Sequence, residues 1–256
     1  MAQSNLVPDN TLSSESSNVI FNLGGIPNEL ITGGAQREQN LFHSFREFNV
    51  SAARGAYFFI PNASIANVLT RVTGSNRSEI LGTLGTIQAV GDNFVSSNAN
   101  LFLINPNGII FGENSRLDVG GSFVATTANG IQFGNQGSFS ATNPQTLGVL
   151  TVNPSALFFD QINQNAAIQN NSIAPAGISP SGINASGLRV PDGKSLLLIG
   201  SDINMDGGRL RAYGGRVELG GLSAAGNINL QLDGNNVSLA FPENNYTGRC
   251  ISQKGF

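Results

Sequence analysis

The chain has no tryptophan, one histidine, one cysteine and two methionines among its 256 residues, and only 11% of them are charged. A lone cysteine, Cys250, rules out an intrachain disulfide and a multi-cysteine zinc site, so packing alone must hold the fold. The lone histidine, His43, excludes any site built on two imidazoles and leaves a Ser-His-Asp constellation without support. With 13 basic against 16 acidic side chains, a net charge of -3 and no Lys/Arg cluster, the chain carries no electrostatic footprint for nucleic acid. No apolar run reaches the roughly 18 residues of a membrane-spanning helix. No Walker or dinucleotide glycine pattern follows a strand and opens a helix. The expectation is therefore a chain with no cofactor and no metal.

What is abundant is glycine, 32 residues, in a chain that is 40% hydrophobic. Apolar residues, small polar residues and turn formers favour many short strands over helices, and the length suits one elongated domain. A repeat is visible. Asn107-Gly108-Ile109-Ile110-Phe111-Gly112 returns 22 positions later as Asn129-Gly130-Ile131-Gln132-Phe133-Gly134, and the same offset carries Leu117 to Phe139. Farther on the period reads as 20, with Leu197, Val217 and Val237 in line, Ile199, Leu219 and Leu239 likewise, and Leu210 over Leu230. Alternating apolar residues, as in Ile228, Leu230 and Leu232, mark strands with one buried face. Glycine-rich steps such as Asp206-Gly207-Gly208 supply the corners.

Units of this kind predict an all-β fold, a single-stranded parallel β-helix, expected to carry an N-terminal β cap and extra-helical strands. Roughly 200 residues at about 21 per turn give about nine turns. Residues 1–50, with the aromatic-rich Leu41–Phe48 stretch, are expected to cap the N-terminal end with strands, because an open coil exposes unpaired edges. Residues 51–160 form the first turns, 160–186 a loop-rich excursion, 187–245 further turns and 246–256 a tail.

The segment Asn105-Pro106-Asn107-Gly108-Ile109 resembles the NPNGI motif of the filamentous-haemagglutinin type two-partner secretion (TPS) domain, also called the haemagglutination activity domain. Phe42-His43-Ser44-Phe45, Arg71-Val72-Thr73-Gly74 and Gly120–Ala128 extend the likeness over most of residues 10 to 150, with wording most similar to the cyanobacterial branch. A second family motif, NPNL, has a partial counterpart in Pro61-Asn62. The resemblance implies a right-handed β-helix, an original Sec signal peptide absent from the chain as given, and export through the periplasm to the cell surface or medium. It also implies recognition by the POTRA domains of an outer-membrane β-barrel transporter, and a long adhesin, haemolysin or toxin region downstream. The start Met1-Ala2-Gln3 lacks the basic and apolar regions of a leader and fits a chain whose leader has been replaced.

Physical chemistry gives the motif a meaning of its own. Pro106 presets φ for the first turn position and Asn107 or Gly108 tolerates a left-handed conformation, so the tetrapeptide encodes a tight turn between two apolar strands. Whether that corner is structural only or also touches the transporter stays open at this level. Three function classes follow: a non-catalytic secretion module, an adhesin domain binding cell-surface glycans or proteins, and a carbohydrate-active β-helix enzyme. The enzyme reading has little to stand on, since Asp202 and Asp206 are the nearest carboxylate pair and both suit turn and edge roles. Acidic residues are too scattered for a calcium-assisted site. Sugar platforms would draw on Tyr57, Tyr213 and Tyr246. The chain is expected to be a monomer and not an enzyme.

Overall fold

The computed structural model describes residues 2–234 and 236–240, together with the backbone of Ile251–Gln253. Among these residues there is no α-helix, only strands and two short 3-10 turns at Ser13–Glu15 and Leu23–Gly25. The strands form a parallel β-helix. Its long sheet stacks six parallel strands, Asn40–Asn49, Asn67–Val72, Asn100–Ile104, Phe123–Thr126, Ser195–Ile199 and Arg216–Gly220. A second face stacks Ser78–Ile80, Ile109–Phe111, Ala167–Asn170 and Asp202–Met205. The third face runs through Asn28–Gly33, Gly55–Phe59, Thr83–Val90 and Arg116–Asp118, and resumes as Leu188–Arg189 against Leu210–Arg211. Among the described residues the coil has six turns where about nine were expected, because three stretches leave it.

Two of those stretches build a roof. Gly130–Gln132, Ser138–Ser140, Ala156–Phe159, Gly226–Asp233 and Asn236–Ala240 form an entirely antiparallel sheet. It lies over the outer face of the long sheet, so that Leu69, Phe102, Ile104, Val124, Leu197 and Ile199 pack against Ile131, Phe139, Leu157 and Ile228. The inward side chains of the same strands, Val68, Leu101, Leu103, Phe123, Leu196 and Leu198, fill the coil interior. A parallel sheet buried on both faces needs continuous apolar runs, which explains Leu101-Phe102-Leu103-Ile104 and Leu196-Leu197-Leu198-Ile199. Clean alternation instead marks the roof, where Ile228 and Leu230 are buried and Asn227, Asn229 and Gln231 exposed.

The pairing corrects several expectations. Asn129–Gly134 does not stack on Asn107–Gly112: Ile109 pairs with Ser78 and Ile168, while Ile131 pairs with Phe139 and Leu157 in the roof. Leu117 is opposite Leu84, not Phe139. In the later turns Leu196 aligns with Val217 and Leu197 with Glu218, so the period is 21, not 20. Val237 pairs with Leu232, Leu239 with Leu230, and Leu210 with Leu188, which removes the other members of the proposed alignments. The excursion falls earlier than 160–186, since Ala167–Asn170 is back in the coil and only the Pro175–Ile178/Asn184–Ser186 hairpin protrudes there. Gly226–Asp233 and Asn236–Ala240 belong to the roof, not to further turns.

At the N-terminal end Asn5–Pro8 runs antiparallel to Asn40–Asn49, and Ser17–Ile20 antiparallel to Asn28–Gly33. Phe45, Phe48 and Phe58 fill the coil beneath them, with ring centroids 5.0 Å apart for Phe45 and Phe48 and 5.9 Å for Phe48 and Phe58. A buried ion pair ties the end down: Glu29, fully buried, takes the guanidinium of Arg54 through Nε at 2.6 Å, and Ser4 Oγ donates to its other oxygen at 3.0 Å.

Candidate functional site

The corner Asn105–Gly108 joins Asn100–Ile104 to Ile109–Phe111, carrying the chain from the long sheet to the second face. Gly108 N–H donates to Asn105 C=O at 3.1 Å, which closes a β-turn. Asn105 is fully buried and works in three directions. Its backbone N–H donates to Thr126 C=O at 2.9 Å in the following turn, and its Nδ2 donates to Asn76 C=O at 3.0 Å and Ser78 Oγ at 2.9 Å in the preceding one. Its Oδ1 accepts the Asn107 N–H at 2.9 Å. Asn107 Nδ2 then reaches back to Gly74 C=O at 2.8 Å. Each polar atom named here has a partner, as burial demands.

Gly108 is where the corner meets the rest of the chain. Its φ is +110°, and a Cβ there would stand 3.0 Å from Ala167 C=O. Residues 163–167 bring the chain back from the roof, and Asn163 Nδ2 donates to Pro106 C=O at 3.4 Å as it lands. Ile109 is fully buried in the coil interior and pairs with Ile168 of the returning strand. The motif is thus a seat. It receives the turn that must reconnect after the excursion of about thirty residues into the roof.

Pro61 and Asn62 lie elsewhere, at an exposed corner between Gly55–Phe59 and Asn67–Val72. Asn62 Oδ1 accepts the Ser64 N–H at 3.1 Å, an Asx turn, and Asn62 Nδ2 donates to Gln36 Oε1 at 3.3 Å. The fold does not bring the two motifs together. Asp202 and Asp206 are both exposed, and Asp202 Oδ1 accepts the Ile203 N–H at 2.9 Å, an edge role. Tyr57 lies across Gly85 and hydrogen-bonds Asp118, while Tyr213 takes the Arg189 guanidinium 5.0 Å over its ring. Asn235, Tyr246 and Cys250 lie outside the described residues.

Two buried polar systems lie beyond the corner: one was not singled out in the sequence, and the other takes Ser44, Arg71 and Thr73 from the family blocks. At the start of the long-sheet strands, Asn67 Nδ2 donates to Asn40 Oδ1 at 2.9 Å and Asn100 Nδ2 to Asn67 Oδ1 at 3.0 Å. The ladder continues with Ser122 N–H donating to Asn100 Oδ1 at 3.0 Å and Ser195 N–H to Ser122 Oγ at 2.9 Å. Asn40 Nδ2 donates to Leu150 and Val152 C=O, both at 2.8 Å, pinning the roof's connecting segment. The available signal was positional, an Asn or Ser one residue before each apolar run: Asn40-Leu41, Asn67-Val68, Asn100-Leu101, Ser122-Phe123, Ser195-Leu196.

The second system centres on Arg71, 1% exposed under the roof. Its Nε donates to Ser44 Oγ at 2.9 Å, one Nη to Ser140 C=O at 2.8 Å and the other to Thr11 Oγ1 at 2.8 Å. Asp9 accepts from the Thr11 N–H at 2.9 Å and from Ser44 Oγ at 2.9 Å, also taking the Thr73 hydroxyl. Burial pulls the Arg71 guanidinium down to about 10 against the attraction of Asp9. Burial opposes ionisation of Asp9, and the hydroxyls of Thr11, Thr73 and Ser44 with the Thr11 N–H together hold its carboxyl below the usual range. Three parts of the chain meet here: the N-terminal segment, the coil and the roof.

The architecture has relatives. The model of the TPS secretion domain family matches residues 4–249. The crystal structure of the HMW1 secretion domain from Haemophilus influenzae superposes with a TM-score of 0.58 at 20% identity, covering 93% of this chain and 49% of that one. This chain therefore spans about half the length of that relative. A search of curated proteins returned no match.

Proposed function

Because the chain belongs to the TPS secretion domain family, we propose that this two-partner secretion module directs export of a larger surface or secreted protein by presenting its unfolded chain to the POTRA domains of an outer-membrane β-barrel transporter, and that its motif corner then organises folding outside the cell. The observation behind presentation in the unfolded state is burial. Asn105 is 0% exposed, Pro106 and Gly108 are buried, and the Asn105 amide is committed to neighbouring turns. A partner reading these side chains meets them only before the corner closes. One cysteine in the chain leaves no intrachain disulfide to obstruct an unfolded passage. Once outside, stacked turns grow by nearest-neighbour addition, each burying its apolar ladder on the one before, so a folded first turn gives the emerging chain a direction.

The test is export from a cell carrying the cognate transporter. Replacing this module by an unrelated β-helix of similar length should abolish secretion of the attached protein, and undiminished export would remove the proposal. Binding of purified POTRA domains to urea-unfolded chain, and weaker binding to folded chain, is the expected companion result. Equal binding to both forms would contradict the reading of an unfolded motif.

A further inference from the structure

The chain contains two Asn-Gly steps, Asn107-Gly108 in the motif corner and Asn129-Gly130 where the chain enters the roof. Such a step is prone to attack on itself, because glycine places no Cβ beside the peptide nitrogen that follows the asparagine side chain. In a free chain that nitrogen gives its proton to solvent and attacks the asparagine Cγ. The new N–Cγ bond closes a cyclic imide, the Cγ–Nδ2 bond breaks, and the amide nitrogen takes up a proton and leaves as ammonia. Water then opens the imide at either carbonyl. One opening leaves aspartate, and the other leaves isoaspartate, whose backbone runs through Cβ and Cγ and is one methylene longer. The balance is one water in and one ammonia out, with no oxidant or catalyst required.

The fold blocks this route at both steps. Gly108 N–H donates to Asn105 C=O at 3.1 Å, while Asn107 Nδ2 donates to Gly74 C=O at 2.8 Å and to Asn105 Oδ1 at 3.2 Å, so the nitrogen and the carboxamide it would attack are held by other groups. Gly130 is paired between Ser140 and Phe158 in the roof, and Asn129 beside it is buried. The two amides work in opposite senses. Asn107 donates to two oxygens, whereas Asn129 Oδ1 accepts the Asp160 N–H at 2.7 Å and the Gln161 N–H at 3.2 Å, and its Nδ2 has only Thr142 Oγ1 at 3.4 Å. A carboxylate at 107 therefore sets oxygen against oxygen twice. One at 129 keeps both N–H bonds. We propose that Asn107-Gly108 is a self-modification site that unfolding opens and folding closes: deamidation of Asn107 in the unfolded chain yields products that no longer close the corner, whereas aspartate formed at 129 is accommodated. Isoaspartate at 107 fails for a second reason, since its added methylene lies inside the turn that brings Gly108 N–H to Asn105 C=O. The reaction needs only the unfolded chain and water, so it stands apart from which partner reads the motif.

The test ages the full 256-residue chain at mildly alkaline pH, in native buffer and in concentrated guanidinium chloride, with peptide mapping by mass to read asparagine, aspartate and isoaspartate at both positions. Loss of Asn107 should be at least about tenfold slower in native buffer, since the folded chain reacts only from the small fraction that is locally open. Asn107→Asp should lower the urea midpoint, and Asn129→Asp should leave it unchanged. In an Asn129→Asp chain aged in denaturant, the fraction that regains the native circular dichroism spectrum on dilution should fall in step with intact Asn107, which decides the matter even where Asn107→Asp does not fold. Equal rates of Asn107 loss in the two solvents overturn the proposal. An Asn107→Asp chain as stable as Asn129→Asp, or full refolding after Asn107 has been consumed, overturns it as well.

Discussion

Arg71 holds its guanidinium 4.2 Å from the ring centroid of Phe139, and with that contact a strand of the second coil turn is fixed to the roof. The guanidinium is desolvated and fully engaged, and such groups destabilise most when one partner is removed and the others stay buried. Arg71→Met should lower unfolding free energy in urea by roughly 2–4 kcal/mol. Phe139→Leu keeps the polar partners and should cost about 1–2 kcal/mol, the loss of ring volume and of the cation-π contact. If the two substitutions cost the same, and their double mutant is additive, the guanidinium and the ring are not coupled.

His43 carries the pH dependence. It is fully buried, with Nδ1 3.0 Å from Ser17 Oγ, no partner for Nε2 and the Phe58 ring 5.0 Å away. Burial depresses its pKa from 6.5 to about 3. The folded form thus stays neutral while the unfolded chain takes a proton below its ordinary pKa. Stability is complete above pH 6.5 and falls as pH drops toward 3, by up to about 1.4 kcal/mol per unit. Asp9 pulls the same way only below the ordinary aspartate value of 3.8, so the interval from 6.5 down to about 4.5 isolates the histidine. His43→Leu should flatten stability across that interval in urea melts at stepped pH. An unchanged slope would place the titration elsewhere.

How much of this was legible in the sequence depends on which physical signal each element leaves. The family blocks and the turn chemistry of Asn105-Pro106-Asn107-Gly108 pointed to the right fold and to a real β-turn. The period failed where the chain leaves the coil. Asn107–Gly112 and Asn129–Gly134 look alike because both are a tight corner followed by a short apolar strand, and local chemistry cannot say whether the strand stacks on the coil or joins the roof. Leu197 and Val217 were aligned by a one-residue slip, and that slip is costly, since Leu197 faces the roof and Val217 the coil interior. With both faces of the long sheet apolar, hydrophobicity alone does not choose the register. In the earlier turns the asparagine ladder supplies a further signal, at the head of Asn40–Asn49, Asn67–Val72 and Asn100–Ile104.

Asn67 is the middle of that ladder, fully buried, donating to Asn40 Oδ1 at 2.9 Å and Asn153 Oδ1 at 3.2 Å while accepting from Asn100. Asn67→Leu is close in volume but strands an acceptor on Asn40 and a donor on Asn100, so a loss of about 2–4 kcal/mol is expected. Asn67→Asp keeps the shape and replaces the donor by a buried charge, and should be at least as costly near neutral pH, recovering partly in acid as the carboxyl protonates. Urea unfolding at pH 7 and pH 5 measures both. A leucine variant as stable as the parent would show that the ladder tolerates apolar replacement and does not set register.

The final prediction separates the motif's steric role from the general cost of a left-handed residue. Gly108 and Gly207 both have positive φ, +110° and +71°, so an added side chain strains either one. Gly207 opens onto space with nothing within 4 Å of a Cβ, whereas at Gly108 the Cβ meets Ala167 C=O at 3.0 Å, on the segment returning from the roof. Gly207→Val should therefore cost only the conformational term, roughly 1–2 kcal/mol. Gly108→Val adds a clash with the chain that must land there, so its refolding should slow as well as its stability fall. If the corner organises folding outside the cell, export should drop several-fold for Gly108→Val and little for Gly207→Val. Refolding from urea alongside pulse-chase export reads both quantities. Equal slowing and equal export for the two variants would show that the corner has no special role, and slow refolding with normal export would separate folding of the seat from secretion.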